Sequence, residues 1–324
     1  NIASAAASYG MHDTPYAVRQ VYWILIGVII VLLVCSIDYH LFQDLAYWFY
    51  GLLMLLLLVV LFAGKTSMGA TRWLHLGFIS FQPSELMKIV IIMVYAHYLA
   101  NFTTPGSLSL RDLVNPFLLL GGPVLLIMKQ PDLGTATLVI FIALSMLLYA
   151  GVRPRAVITL LLAALPIVFL GWHYYLRAYQ KERILTFLSP ERDPLGSGYH
   201  IIQSKIAVGS GGLTGKGFMQ GTQTQLRFLP EQHTDFAFSV FSEEWGFIGC
   251  LVVLALYFAL ILWGLNIARR CNDHFGSLMA VGVTAMLFWH IIINIGMVIG
   301  LFPVVGVPLP LFSYGGTSMI TTMV

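Results

Sequence analysis

Apolar residues run along this chain in long stretches separated by short polar punctuation. A helix of about 20 mostly apolar residues is long enough to cross a bilayer. Such runs lie at 18–37, 46–63, 84–101, 113–129, 133–151, 155–176, 236–268, 275–301 and 310–324. Asn1–Ser8 are mostly small and read as the tail of an earlier helix, and the last run reaches Val324 without a polar end. The numbered chain is therefore expected to be trimmed at both ends of a bundle of about ten transmembrane helices. Leu, Val and Ile fill the runs without period-2 alternation, which excludes a transmembrane β-barrel. Pro166, inside the sixth run, predicts a kink. The pattern predicts an all-α polytopic membrane protein: one integral membrane domain over 1–324, with a large polar loop, 177–235, before the late helices.

Composition sharpens this. Charged residues make up 10% of the 324 positions and hydrophobic ones 58%, whereas soluble domains carry about 25% charged residues. A water-soluble domain and a disordered chain are both excluded. A net charge of +3 gives no footprint for nucleic acid. Cys35, Cys250 and Cys271 are scattered without CxxC or Cys/His spacing, so neither a zinc site nor a disulfide framework is expected. One set of loops, 38–43, 101–112, 151–155 and 269–274, holds Arg111, Arg153, Arg155, Arg269 and Arg270. The opposite set holds Arg19, Lys65, Arg72 and Lys129. The positive-inside rule places the first set in the cytoplasm by a small margin and the long loop outside.

Charge at membrane depth costs about 2.5–3.5 kcal/mol per group on insertion scales, so each charged residue needs a reason. Glu85 and Lys88 stand at i, i+3 at the start of an apolar helix. They form either a helix-end ion pair with a Ser84 cap or an acid and a cation lining a polar cavity. Lys129-Gln130-Pro131-Asp132-Leu133-Gly134-Thr135 is a tight turn in which Asp132 can cap the next helix. Glu243 and Glu244 point about 100° apart on one helix and read as structural.

The long loop is denser in chemistry. Lys205, Lys216, Arg227, His233 and Asp235 fall within a Gly-articulated region beside apolar helices, which suits a ligand with an anionic head and a greasy tail. Gly215-Lys216-Gly217 resembles a phosphate cradle but lacks P-loop spacing. Asp235, just before an apolar run, is either an N-cap or a general base for a sugar hydroxyl.

At these residues the chain resembles the SEDS family of membrane proteins, most of all its elongation-type, RodA-like branch. Asn294, Gly300-Leu301-Phe302-Pro303, Val304-Val305-Gly306-Val307 and Leu311-Phe312-Ser313-Tyr314-Gly315-Gly316-Thr317-Ser318 follow the family's C-terminal pattern in order and spacing. Phe81–Lys88, Lys129–Thr135, Asp193–Ile202, Ile206–Gly217 and Leu229–Phe236 resemble further family blocks, so the likeness spans nearly the whole chain.

The resemblance implies an inner-membrane peptidoglycan glycosyltransferase with its active site on the extracytoplasmic side. It would polymerise lipid II into β-1,4 glycan strands during cell elongation, with inversion at the donor's anomeric carbon. The family's essential loop acid falls on Asp235, its Glu and Lys on Glu85 and Lys88, and its Arg-Trp motif on Arg72-Trp73. Asp235, Glu85 and Lys88 are the expected catalytic set. Arg72, Trp73, Lys129, Asp132, Lys205, Lys216, Arg227, His233, Ser313 and Tyr314 are the expected substrate-binding set. Trp73 is also read as a member of the interfacial aromatic belt. A divalent cation, Mg²⁺ or Mn²⁺, held by Asp235 or Glu85, is the expected cofactor, with no organic cofactor. The implied partners are lipid II, the membrane and a class B penicillin-binding protein, a transpeptidase. The alternatives are a lipid II flippase and a silent scaffold, neither of which needs the loop acid.

Overall fold

The computed structural model describes residues 15–67, 70–76, 79–102, 108–175, 178–192, 196–226, 228–229 and 233–324. The expected clipped helix at Asn1–Ser8 lies outside them. Helices α1 (Pro15–Cys35), α2 (Tyr39–Ala63), α3 (Pro83–Ala100), α4 (Val114–Lys129), α5 (Leu133–Ala150) and α6 (Pro154–Leu170) follow the first six apolar runs. After a π-helical turn at Gly171–Tyr175 come α7 (Ala178–Leu188), α8 (Ser197–Ser210) and the one-turn α9 (Thr222–Gln225). Helices α10 (Ala237–Arg270), α11 (His274–Val298) and α12 (Gly316–Met323) complete the order. Among the described residues α1, α2, α5, α10 and α11 are long and apolar enough to cross a membrane. The protein is an all-α polytopic membrane protein.

Three boundaries depart from the sequence reading. Helix α2 starts at Tyr39 rather than 46, because Asp38 caps it by accepting from the His40 amide at 3.0 Å. The run at 310–324 becomes helical only from Gly316. The stretch after α2 forms a small antiparallel sheet of β1 (Lys65–Ser67), β2 (Ala70–Leu76) and β3 (Ile79–Phe81) in the order β1-β2-β3. Lys65 pairs with Trp73, and Leu74 with Phe81. Pro166 sits inside α6, which runs on to Leu170.

The chain divides into two compact units. One comprises Val31–Ala164 and Ile261–Trp289. Its core is built around α3, with Met87, Ile91, Ile92, Val94 and Tyr95 packed against Leu53 and Leu57 of α2 and Val139, Ile142 and Met146 of α5. The Tyr95 hydroxyl donates to Pro116 O at 2.7 Å, and Gln130 Nε2 to Leu57 O at 2.8 Å, so these two buried polar groups are paired.

The other unit comprises Asn1–Ile30, Leu165–Leu260 and His290–Val324. Its α10 is broken at Gly246, where φ is +63°. The break orphans carbonyls on one side and amides on the other, and the loop after α8 takes up both. The amides of Lys216 and Gly217 donate to Glu243 O and Glu244 O, each at 3.0 Å. The amides of Phe247 and Ile248 donate to Gly212 O and Leu213 O at 2.9 and 3.1 Å. A Cβ at Gly246 would collide with the Gly215 amide nitrogen. Gly246→Ala is therefore expected to destabilise the protein by about 1–3 kcal/mol through backbone strain. The readout is a lowered Tm in detergent; an unchanged Tm would show that the break accommodates a methyl group.

Candidate functional site

In the unit built around α3, the sheet and two helix starts converge. Asp132 caps α5: its Oδ1 accepts from the Thr135 amide at 3.3 Å and its Oδ2 from Thr135 Oγ1 at 2.9 Å. The same Oδ2 accepts from Gln82 Nε2 at 3.0 Å and from Ser84 Oγ at 3.4 Å, which ties the start of α3 to that of α5. Arg72, carried by β2, reaches the turn as well. Its Nη1 lies 3.6 Å from Asp132 Oδ1, and its Nη2 donates to Pro131 O. Trp73 follows on β2, half-buried. The helix-end reading of Asp132 is therefore right, and the residue also organises its surroundings.

One helical turn into α3, Lys88 Nζ stands 3.0 Å from both Glu85 carboxylate oxygens. Lys88 is 1% exposed and Glu85 7%. A buried pair at this depth needs mutual neutralisation to be tolerated. Lys129 is exposed at the C-terminus of α4, where the helix dipole favours a cation.

In the other unit the loop between α11 and α12 collects the rest. Lys205 of α8 lays its Cε and Nζ across the Gly300 backbone. Ser204, beside it, donates to Val298 O at 2.7 Å and lies 2.8 Å from Ser239 Oγ, so α8 is fastened to α10 and α11. Arg183 of α7 donates to Val304 O at 3.2 Å. Asp235, half-buried in the turn before α10, presents Oδ2 to Gly306; a Cβ built there would lie 3.2 Å from it. The His233 backbone carbonyl accepts from the Tyr314 amide at 2.9 Å, and the two rings meet edge-on at 6.1 Å. Ser313 Oγ accepts from the Leu309 amide at 3.0 Å and closes the same loop.

The loop from Gly300 to Tyr314 is thus met by a cation at Gly300 and by an acid at Gly306, and carries an aromatic at its far end. An acid and a cation against one short segment suit an anionic ligand that carries a hydroxyl.

Lys216 is placed elsewhere. Its ammonium lies 2.8 Å from Oε1 of Glu243, which is fully buried. Of the Gly215-Lys216-Gly217 amides, whose pattern resembles an anion cradle, those of Lys216 and Gly217 are engaged by the broken helix and that of Gly215 by Gly211 O at 2.8 Å. Glu243 also accepts from the amides of Gln223 and Thr224 at 3.0 and 3.3 Å. The structural reading of this glutamate holds, and its hub of donors was not foreseen. Arg227 lies outside the described residues, as do 193–195 and 230–232 of the motif blocks.

Asn294 is the residue whose role sequence reasoning missed. It is fully buried in α11, and its Nδ2 donates to Asp235 O at 2.9 Å and to Val307 O at 2.7 Å. The available signal was an amide alone in an apolar run, which needs partners at membrane depth. Among the described residues no group of three or more His, Cys, Asp or Glu side chains is disposed to hold a metal ion.

Comparison with known proteins places this geometry. The profile of the FtsW/RodA/SpoVE family, described as cell cycle protein, matches residues 2–324. The peptidoglycan glycosyltransferase MrdB of Escherichia coli K12 is 45% identical over 308 residues, covering 94% of this chain and 82% of MrdB. A chain from a peptidoglycan synthase complex, solved to show the structural coordination of polymerization and crosslinking, superposes with a TM-score of 0.83 at 32% identity. That match covers 99% of this chain and 92% of the other. The crystal structure of the rod-shape-determining protein RodA of Thermus thermophilus gives a TM-score of 0.71 at 29% identity, covering 99% and 89%. The SEDS resemblance of the motifs is thereby confirmed: the chain belongs to the FtsW/RodA/SpoVE family.

Proposed function

We propose that the protein is a peptidoglycan glycosyltransferase that polymerises lipid II during cell elongation. The observation that supports the reading is that Lys205, from α8, and Asp235, from the turn before α10, meet one short loop at Gly300 and Gly306, six residues apart. Asp235 takes the proton of the acceptor's sugar 4-hydroxyl. That oxygen attacks the donor's anomeric carbon, and the bond from that carbon to the undecaprenyl pyrophosphate breaks. The electron pair leaves with the pyrophosphate, and in-line displacement inverts the α linkage to β-1,4. Lys205 stabilises the leaving charge.

Within the unit built around α3, the Glu85–Lys88 pair, Arg72 and Lys129 are proposed as fixed charge for an anionic or sugar ligand. Within the unit that holds Asp235, His233, Ser313 and Tyr314 are the proposed binding residues, with His233 and Ser313 acting through the loop they hold. Lys216 serves the fold through Glu243. A Mg²⁺ or Mn²⁺ ion needs only one or two carboxylates when phosphate oxygens supply other ligands. Asp235 or Glu85 would hold it, and both Glu85 oxygens also accept from Lys88. Such an ion would neutralise charge on the pyrophosphate.

The proposed location is the bacterial inner membrane with the 177–235 loop outside, which the arginine distribution supports. A class B penicillin-binding protein is the proposed partner, supported by the related chain's place in a synthase that couples polymerization to crosslinking.

The test is incubation of purified lipid II with the protein reconstituted beside its class B partner, with moenomycin present to silence classical glycosyltransferases. Glycan ladders are expected. No ladders, together with transbilayer movement of labelled lipid II in the same vesicles, would replace this reading with a flippase.

A further inference from the structure

We infer that Asn294 is the positioning residue for Asp235, setting the carboxylate's place by fastening the chain on either side of it. The inference rests on the reading of Asp235 as the general base. Asn294 sits in α11, in an otherwise apolar stretch, with no exposed surface. Its Nδ2 has two hydrogens and gives them to two backbone carbonyls, Asp235 O at 2.9 Å and Val307 O at 2.7 Å. Both partners are acceptors, so the amide's orientation is fixed by the network. Its Oδ1 has no partner among the described residues. The side chain is thus held for its donors, and those donors join two segments that the sequence keeps far apart.

The geometry links these bonds to the carboxylate. One of them holds the peptide that carries Asp235. The other holds Val307, whose neighbour Gly306 (φ +69°) forms the wall against Asp235 Oδ2. Removing the Nδ2 donors frees both the carboxylate's own backbone and the wall it rests on. Neither bond touches the carboxylate oxygens, so Asn294 acts through position and leaves the base chemically intact. A misplacement of about 1 Å in a reacting group lowers turnover by about 100-fold. A residue that only braced the fold would instead lower stability and substrate binding together.

The experiment uses the full chain reconstituted with its class B partner and purified lipid II, comparing wild type, Asn294→Leu, Asn294→Asp and Asp235→Asn. Asn294→Leu keeps the volume and loses both donors. It should lower kcat by about 30- to 100-fold, with KM and partner binding close to wild type and a lowered Tm, because two buried carbonyls lose their donors. Asn294→Asp is inverted in a useful way. Ionised, it faces two carbonyls with no donor; burial and those carbonyls favour the neutral acid, which regains one donor. Its rate relative to wild type should therefore rise as pH falls. Asp235, His233, Lys205, Arg183, His200 and His290 are common to both proteins, so the wild-type profile is recorded alongside as the reference.

A wild-type kcat in Asn294→Leu, or a joint loss of KM, Tm and partner binding, overturns the inference. If Asn294→Leu does not fold, a pH-independent ratio for Asn294→Asp overturns it as well. Full turnover by Asp235→Asn would overturn the base assignment itself, whatever Asn294 does, so the two failures are distinguishable.

Discussion

Asp235→Asn is expected to abolish glycan-ladder formation, a loss of at least about 10²–10⁴-fold if the carboxylate is the general base. The fold should survive. Asn294 holds Asp235 through its backbone carbonyl, which the substitution leaves untouched. An amide is close in size to the carboxylate it replaces, so the space beside Gly306 accepts it. The variant should therefore keep its Tm and its partner. What it loses is the ability to accept a proton at the acceptor hydroxyl, since an amide oxygen is a far weaker base. The measurement is ladder formation from purified lipid II by equal amounts of intact complex, with moenomycin present. Wild-type ladders from Asp235→Asn would remove this residue as the base while leaving the fold assignment standing.

The sequence made the membrane helices legible because about 20 apolar residues carry their own signature. It was weakest where polar residues and short elements meet the membrane edge. Helix α2 extends back to Tyr39 across His40, Gln43 and Asp44, since an Asp38 cap matters more than hydropathy at a helix end. The sheet was invisible because strands of three, seven and three residues do not establish a period of two. Yet β2 is what brings Arg72 to Asp132, residues separated by a whole helix pair in sequence.

The candidate site divides along the same line. Asp235, Lys205 and the Glu85–Lys88 pair stood out as charges needing a reason next to apolar runs. That Lys205 and Asp235 meet one loop, at Gly300 and Gly306, depends on a fold that returns α11 beside α8. Lys216 shows the limit from the other side. Its glycine-flanked setting resembled an anion cradle, but the amides of Lys216 and Gly217 serve a helix break 30 residues on, at Gly246, which composition does not reveal.

That break gives the second large effect, Glu243→Ala, which should destabilise the protein by about 3–5 kcal/mol, the range for removing one partner of a buried ion pair. Glu243 is fully buried eight residues beyond Asp235, on the half-helix that Asp235 precedes. Its Oε1 accepts from Lys216 Nζ at 2.8 Å, the Gln223 amide at 3.0 Å and Thr222 Oγ1 at 3.2 Å. Its Oε2 accepts from the Thr224 amide at 3.3 Å and Thr224 Oγ1 at 3.2 Å. Truncation leaves two backbone amides and a lysine without the acceptor around which this loop is folded, and buried unpaired donors are costly. Lys216→Met should be milder, because the carboxylate keeps its amide and hydroxyl donors and Lys216 is 28% exposed to begin with. The order of Tm values, wild type above Lys216→Met above Glu243→Ala, can be read by scanning fluorimetry in detergent. Equal Tm values for Glu243→Ala and wild type would mean that the loop's backbone bonds to the broken helix suffice without the glutamate. Because the same half-helix follows Asp235, Glu243→Ala should also lower turnover in whatever fraction remains folded, which the lipid II assay measures at a temperature below its Tm.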